Sequence, residues 1–376
     1  MRLLLGCDHE VGVRVRESWY ANPLYIRAKR GLFEFLFHSG LLNVFRLLRR
    51  DSVLVAIYHD VLPAGFPEGN PLFGMTVSVE EFAWQLAYFK KHYHPITLQQ
   101  FADWYFRGAA VPSCPVLITF DDGHANNLRH ALPVLQQCEM SAVCFALTGD
   151  LGLCRQTWFE DAYSRLMFSP AKSWCLSNGE CWRLDSHEQR AAACGRFFSL
   201  CRTLPEREQQ EELELLQSQL PVTEPGNISE PEDAKRERFE FLSEDNIRAL
   251  VENGIEIGSH TVTHPILGSL APENAHREIA ESKAALERVL GKPVRAFAYP
   301  FGAPGLDFTS RDEALVRESG YALAFAGEGG FVTRSSNPFC LPRVGIGRMT
   351  HAQFAATITG AVESLKSILL LGRRAE

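Results

Sequence analysis

Two acids side by side, Asp121 and Asp122, end the apolar run Pro115–Phe120 and precede Gly123. Adjacent carboxylates repel one another and resist burial, so a structural role for both requires a cation nearby. A second cluster lies far along the chain. Ser259-His260-Thr261-Val262-Thr263-His264-Pro265 places two imidazoles four residues apart, just beyond an apolar run. On a helical turn, residues at this spacing share a face, and both rings reach one ion. With a carboxylate from another strand end they make a three-ligand Asp-His-His centre with a position open to water. The plainer readings are an Asp-Gly turn capping the next helix and a histidine satisfied in the core.

The elements that must position these groups alternate. Val53–Tyr58 reads as a strand running into His59, and Pro115–Phe120, 141–147, 254–259, 294–299, 321–326 and 343–346 read likewise. Between them, Ser78 with Glu81 and Thr97 with Gln100 form capping boxes that open helices, and Ser243 caps a third. Strand-helix alternation predicts a parallel sheet or β/α barrel, with the chemistry at the strands' C-terminal ends. The rhythm breaks over about 150–240, which is helix-prone and polar; Trp158, Phe159 and Trp174 either cover the cleft or pack within that insertion. Residues 1–50 read as a helical extension, 51–350 as the main domain, and 351–376 as a C-terminal amphipathic helix.

Composition bounds the function. At 376 residues, with 46% hydrophobic and 22% charged residues, the chain can bury a large core. A net charge of −7 argues against general nucleic-acid binding. The ten cysteines show no Cys-x-x-Cys spacing and suggest free thiols in a reducing compartment. Charged residues from Asp8 onward interrupt the first apolar stretch too early for a signal peptide, so a cytoplasmic protein is expected. The apolar helices of 31–50 end in Arg49-Arg50 and either dock on the body or touch the inner membrane face.

Taken together, TFDDG (119–123), SHTVTH (259–264) and FAYPFG (297–302) resemble the polysaccharide deacetylase family, the NodB-homology carbohydrate esterases, over about 51–350. The resemblance implies an irregular (β/α) barrel and metal-dependent removal of acetyl from an N-acetylhexosamine-containing polysaccharide or a lipid-linked or soluble biosynthetic intermediate. It further implies that Asp122, His260 and His264 hold a divalent ion, zinc before cobalt, nickel or manganese. Asp121 would be the general base, and the backbone N–H of Phe301 would help stabilise the oxyanion.

Two departures stand out. Many members carry an arginine where this chain has Ala298; Arg343, or less simply Arg295, is the candidate to orient Asp121 instead. No Leu-x-His motif follows, since His351 lacks a preceding strand. Ile57-Tyr58-His59-Asp60 is similar to the Tyr-His stretch of permuted members that act on exported polysaccharides, which makes His59 the expected proton donor to the leaving amine. Tyr299 and His124 are lesser candidates for substrate contact. Two alternatives remain: a hydrolase of another non-peptide C–N bond (cyclic amide or formamide), and an inactive glycan-binding protein.

Overall fold

The computed structural model describes residues 23–65, 75–221 and 232–361. Seven strands form its centre: β1 (Val53–Tyr58), β2 (Pro115–Phe120), β3 (Val143–Ala146), β4 (Glu256–Ser259), β5 (Ala296–Ala298), β6 (Leu323–Gly329) and β7 (Leu341–Gly345). Each pairs in parallel with the next in the chain, and β7 pairs back onto β1, closing an irregular (β/α) barrel. Phe331–Val332 runs antiparallel along the start of β1, and His94–Pro95 lies parallel beside β2.

Alternation along the strands sorts residues into two layers. Val53, Val55, Leu117, Phe145, Phe325 and Leu341 fill the barrel interior, whereas Leu54, Ala56, Val116 and Ile118 face the outer helices. Because both faces are covered, every residue of β1 and β2 is buried, which explains their unbroken apolar sequence. This parity also fixes the direction of two polar groups. Thr119 and Arg343 fall on interior positions and lie wholly within the barrel.

Helices α1 (Pro23–Ser39) and α2 (Leu41–Leu48) precede the barrel. After β1 come α3 (Val79–His92), started by the Ser78–Glu81 capping box, and α4 (Leu98–Arg107), started by Thr97–Gln100. Phe101 and Trp104 of α4 join the interior cluster, with Phe101 5.9 Å from Phe325. After β2 a π-helical turn, Asn127–Ala131, precedes α5 (Leu132–Cys138).

Between β3 and β4 lie α6 (Trp158–Phe168), α7 (His187–Cys201), α8 (Glu206–Gln219), α9 (Glu232–Phe239) and α10 (Glu244–Glu252). A hairpin, Ser173–Cys175 with Cys181–Arg183, interrupts these helices and was not foreseen. Its register sets Cys175 opposite Cys181, and the two form a disulfide. The expectation of free thiols is corrected there; the spacing alone did not disclose a cross-strand pair. Cys114, Cys138, Cys144, Cys154, Cys194, Cys201 and Cys340 form no disulfide among the described residues, while Cys7 lies outside them. Trp174 packs with Trp182 and Phe197 in the insertion's own core.

Helices α11 (Pro272–Leu290), α12 (Ser310–Glu318) and α13 (His351–Ile358) complete the outer layer. Of the C-terminal helix expected over 351–376, the described residues form only α13, which ends before a turn at Thr359–Gly360; residues 362–376 lie outside the described residues.

Candidate metal and catalytic centre

The TFDDG segment gives its two carboxylates different surroundings. Asp121 N–H donates to the Tyr58 carbonyl (3.0 Å), continuing the β1–β2 ladder, so its side chain keeps interior parity. Asp122 then adopts a left-handed backbone (φ 70°) and Gly123 another (φ 78°), which swings the second carboxylate away from the first. A Cβ on Gly123 would stand 2.9 Å from Ala146 Cα, so only glycine fits this close approach to β3.

Asp122 Oδ1 lies 3.4 Å from Nε2 of His260 and 3.4 Å from Nε2 of His264. The three side chains are buried and their ligand atoms fall within 4.8 Å of one another. The segment holding the imidazoles is not the helical turn expected. It is a loop in which Thr261 (φ 75°) and His264 (φ 60°) are left-handed, and the rings meet edge to face at 5.0 Å. Glu278 of α11 accepts from the Val262 and Thr263 N–H groups (2.8 and 2.9 Å), and Thr261 Oγ1 accepts from His264 N–H (3.1 Å). His260 Nδ1 lies 2.8 Å from the Ala298 carbonyl; donation there leaves Nε2 with its lone pair turned toward Asp122.

Buried polar atoms ordinarily have partners. Asp122 Oδ1 and His264 Nδ1 have none among the described residues. Burial pushes the His264 pKa down to about 3, so the ring is a neutral donor. Burial opposes ionisation of Asp122, but the neighbouring imidazoles more than offset it and hold the carboxyl well below its usual range. A neutral imidazole, a second one oriented by a carbonyl, and an ionised carboxylate form a donor set that fits a divalent cation.

Beside this triad, Arg343 donates through both terminal nitrogens to Asp121, at 2.8 Å to Oδ1 and 2.7 Å to Oδ2. Its Nε donates to the Ala326 carbonyl (2.7 Å), and the guanidinium lies over Phe145 and Phe325. Burial alone would raise the Asp121 pKa; the Arg343 charge and its fork, with His260 and His59, bring it below the usual value. Arg295 is exposed at the start of β5, away from these groups.

Phe301 is also left-handed (φ 57°). Gly302 N–H donates to the Pro300 carbonyl and Gly327 N–H to the Gly302 carbonyl, but no hydrogen bond among the described residues uses the Phe301 N–H. Of the six non-glycine residues with positive φ among the described residues, four (Asp122, Thr261, His264 and Phe301) thus surround one cleft. Such backbone strain concentrates at functional sites. His59, at the end of β1, is half-buried with Nδ1 unpartnered, and its charge reaches Asp121, Asp122 and His264.

Two sequence expectations need correction, those of His124 and Tyr299 as substrate contacts. Asp60 accepts from His124 Nδ1 (2.9 Å) and Asn126 Nδ2 (2.7 Å). His124 is 2% exposed within this network, so it is not placed to meet substrate. Tyr299 is a core residue, because outward parity on β5 stacks it on Phe308 at 3.7 Å and its hydroxyl donates to the Phe339 carbonyl. His351 stacks on Trp84 at the surface.

Sequence reasoning left open what the insertion adds. Trp158 Nε1 donates to the His264 carbonyl (2.9 Å), and the Phe159 and Phe301 rings each lie 4.7 Å from the His264 ring. Helix α6 therefore walls the histidine. The aromatic pair at its start was the visible signal.

A closed parallel barrel whose C-terminal mouth presents an Asp pair and two histidines defines the NodB-type class. Residues 222–323 match the family model described as polysaccharide deacetylase. YxkH of Bacillus subtilis (strain 168), assigned by name to the polysaccharide deacetylases, is 25% identical over 125 residues, covering 33% of this chain and 42% of that protein. The match therefore spans less than half of YxkH. IcaB from Ammonifex degensii shares the fold, with a TM-score of 0.52 and 21% identity over 82% of this chain and 97% of that one. Streptococcus pyogenes deacetylase PplD does so with a TM-score of 0.53 and 16% identity over 82% and 98%. Residues 222–323 are thus similar to the polysaccharide deacetylase family, and the fold is that of a NodB-type (β/α) barrel.

Proposed function

We propose that the protein is a metal-dependent N-deacetylase acting on an N-acetylhexosamine-containing polysaccharide or its biosynthetic intermediate. The observation that carries this reading is the convergence of Asp122, His260 and His264 beside an Asp121 held by Arg343. The PplD structure is a complex with acetate, the product such a reaction would release.

In this reading Asp122, His260 and His264 hold the ion, with zinc favoured by a donor set of two imidazoles and one carboxylate. When bound, a dication polarises the acetyl carbonyl and makes water more acidic. Asp121, kept ionised by Arg343, accepts the proton of the attacking water. The Phe301 N–H, unspent in its own turn, donates to the developing oxyanion. His59 delivers a proton to the nitrogen as the C–N bond breaks, so that amine and acetate leave.

The test is acetate release from chitooligosaccharides by chelator-stripped protein reloaded with zinc, set against hydrolysis of a cyclic amide. Acetate formed in step with free amine, only in the reloaded protein, is expected. Hydrolysis of the cyclic amide alone would move the activity to another C–N bond. Oligosaccharide binding without turnover of either substrate would leave a glycan-binding protein.

A further inference from the structure

One face of the N-terminal helices is accounted for by the fold. Phe33, Leu36 and Leu42 are buried against Ala352, Ala355 and Ala356 around α13. Among the described residues the opposite face is apolar and uncovered. Phe35 is 61% exposed, Val44 51%, Leu47 59% and Leu48 77%, with Leu32 and Leu41 beside them. Leu32 and Phe35 are spaced i, i+3, and Leu41, Val44 and Leu48 continue that helical spacing, so each helix presents a stripe. Single exposed leucines are ordinary, but adjoining stripes on consecutive helices mark an interaction surface.

Charge indicates what meets that surface. Over residues 27–51 the sequence sets six bases, Arg27, Lys29, Arg30, Arg46, Arg49 and Arg50, against two acids, Glu34 and Asp51, although the whole chain carries −7; Arg50 pairs with Asp51 at 3.6 Å. The helices bend by 81° about Gly40. In the bend lies a cleft of about 430 Å³, lined by Phe37, Asn43, Trp84, Tyr88, Lys91 and His92 among others. After burial, the charges of Arg46 and Lys91 act on His92 to lower its pKa, which places cationic groups around this cleft. Apolar stripes flanked by arginines, beside a cationic aromatic cleft, match the chemistry of an anionic lipid interface.

We propose that the α1–α2 elbow docks on an anionic membrane surface, the exposed α2 stripe entering the interface and the cleft at the bend taking a lipid phosphate. The elbow lies on the bilayer rather than across it. Among the described residues no single helix is long and apolar enough to span a membrane, and the inner face of the bent pair is packed on α13. A second copy of the chain is disfavoured as the occupant, because a two-fold contact would bring two arginine-rich stretches together. Leu48 stands five residues before β1 begins, so the stripe sits toward the strands' N-terminal ends, opposite the carboxylates.

The full chain is to be tested by vesicle co-sedimentation, with phosphatidylcholine alone and with phosphatidylcholine plus phosphatidylglycerol. Binding to the mixed vesicles only is expected. Leu47→Glu with Leu48→Glu should weaken it at least about tenfold by removing exposed leucines from the interface. Lys91→Glu should weaken it about fivefold or more. Both variants should melt like wild type and release acetate from a soluble oligosaccharide unchanged. Equal binding to both vesicle types overturns the anionic recognition. No vesicle binding, with a dimer dissolved by Leu48→Glu, makes the stripe a self-interface. No vesicle binding, with a melting temperature lowered by Leu48→Glu, shows the stripe covered by the chain's own terminal residues.

Discussion

Arg343, at the third position of β7, grips both oxygens of Asp121, at the end of β2, although 222 residues separate them. The contact is buried on both sides, with side-chain exposures of 0% and 6%. A planar fork donating two parallel hydrogen bonds fixes the rotation of a carboxylate as well as its charge. Asp121 is therefore presented to the cleft in one orientation and in one ionisation state.

Replacing Arg343 by Ala should lower kcat/KM by about one to three orders of magnitude, as for loss of one catalytic hydrogen-bonding group. It should also destabilise the fold by about 3–5 kcal/mol, because Asp121 is left buried and unpaired. Arg343→Lys should recover the charge and part of the stability but little of the rate, since one ammonium cannot make both bonds. Acetate-release kinetics with denaturant titrations check this; a lysine variant as fast as wild type would show that charge alone matters.

Asp121 and Asp122 should separate cleanly. Asp121→Asn is expected to abolish turnover while retaining metal, and His264→Ala to lose metal together with turnover. Metal content by elemental analysis after dialysis decides between them. Equal loss in both variants would mean that the two acids have exchanged roles.

Trp158 probes the reach of the insertion into the site. Trp158→Phe keeps a ring against Phe301, 5.7 Å away, but deletes the donor to the His264 carbonyl. Supporting groups of this kind typically carry about 10–100-fold in metal affinity. A competition titration with a chromogenic chelator should show about a tenfold weaker Kd, with the metal-free melting temperature little changed. Unchanged affinity would reduce α6 to a passive wall.

Asp307 ties the insertion to the barrel. It is wholly buried, with Oδ1 2.8 Å from Nε of Arg202, which caps the C-terminus of α7, and Oδ2 accepting from Ala303 N–H (2.9 Å). Burial pushes its carboxyl up to about 6 in spite of Arg202. On acidification the folded state therefore takes up this proton before the unfolded chain does. The stability linked to it is complete below about pH 4 and is lost as pH rises through about 6. Asp307→Asn removes this linkage. The melting temperature of the wild type, relative to that of the variant, should climb as pH falls from neutrality toward about 4. Parallel curves would refute the shifted carboxyl.

The fold was legible where a local rule suffices. Ser78 with Glu81 and Thr97 with Gln100 cap the helices they were read to cap, because a side chain three residues from its backbone partner needs no distant help. The unbroken apolar runs of β1 and β2 signalled strands covered on both faces. Even the Arg343 direction was latent in the sequence, since it shares the inward parity of Leu341.

Other assignments failed because the deciding contact is distant in the chain. Tyr299 follows the strand motif but is claimed by Phe308 and the Phe339 carbonyl. His124 follows the TFDDG glycine but is claimed by Asp60. The Cys175–Cys181 bond depends on a hairpin register that the spacing of the two residues does not show.

By itself the sequence determined which residue types stand at the strand ends, and hence an acid pair, two histidines and a barrel to carry them. Only the tertiary structure decided how they meet. Left-handed turns at Asp122, Thr261 and His264 aim the side chains, and the α6 aromatics close over them. The physical reason is range: hydrophobic periodicity and capping act within a few residues, whereas the burial that sets a pKa and the register that joins β7 to β2 across β1 come from segments far apart in the chain.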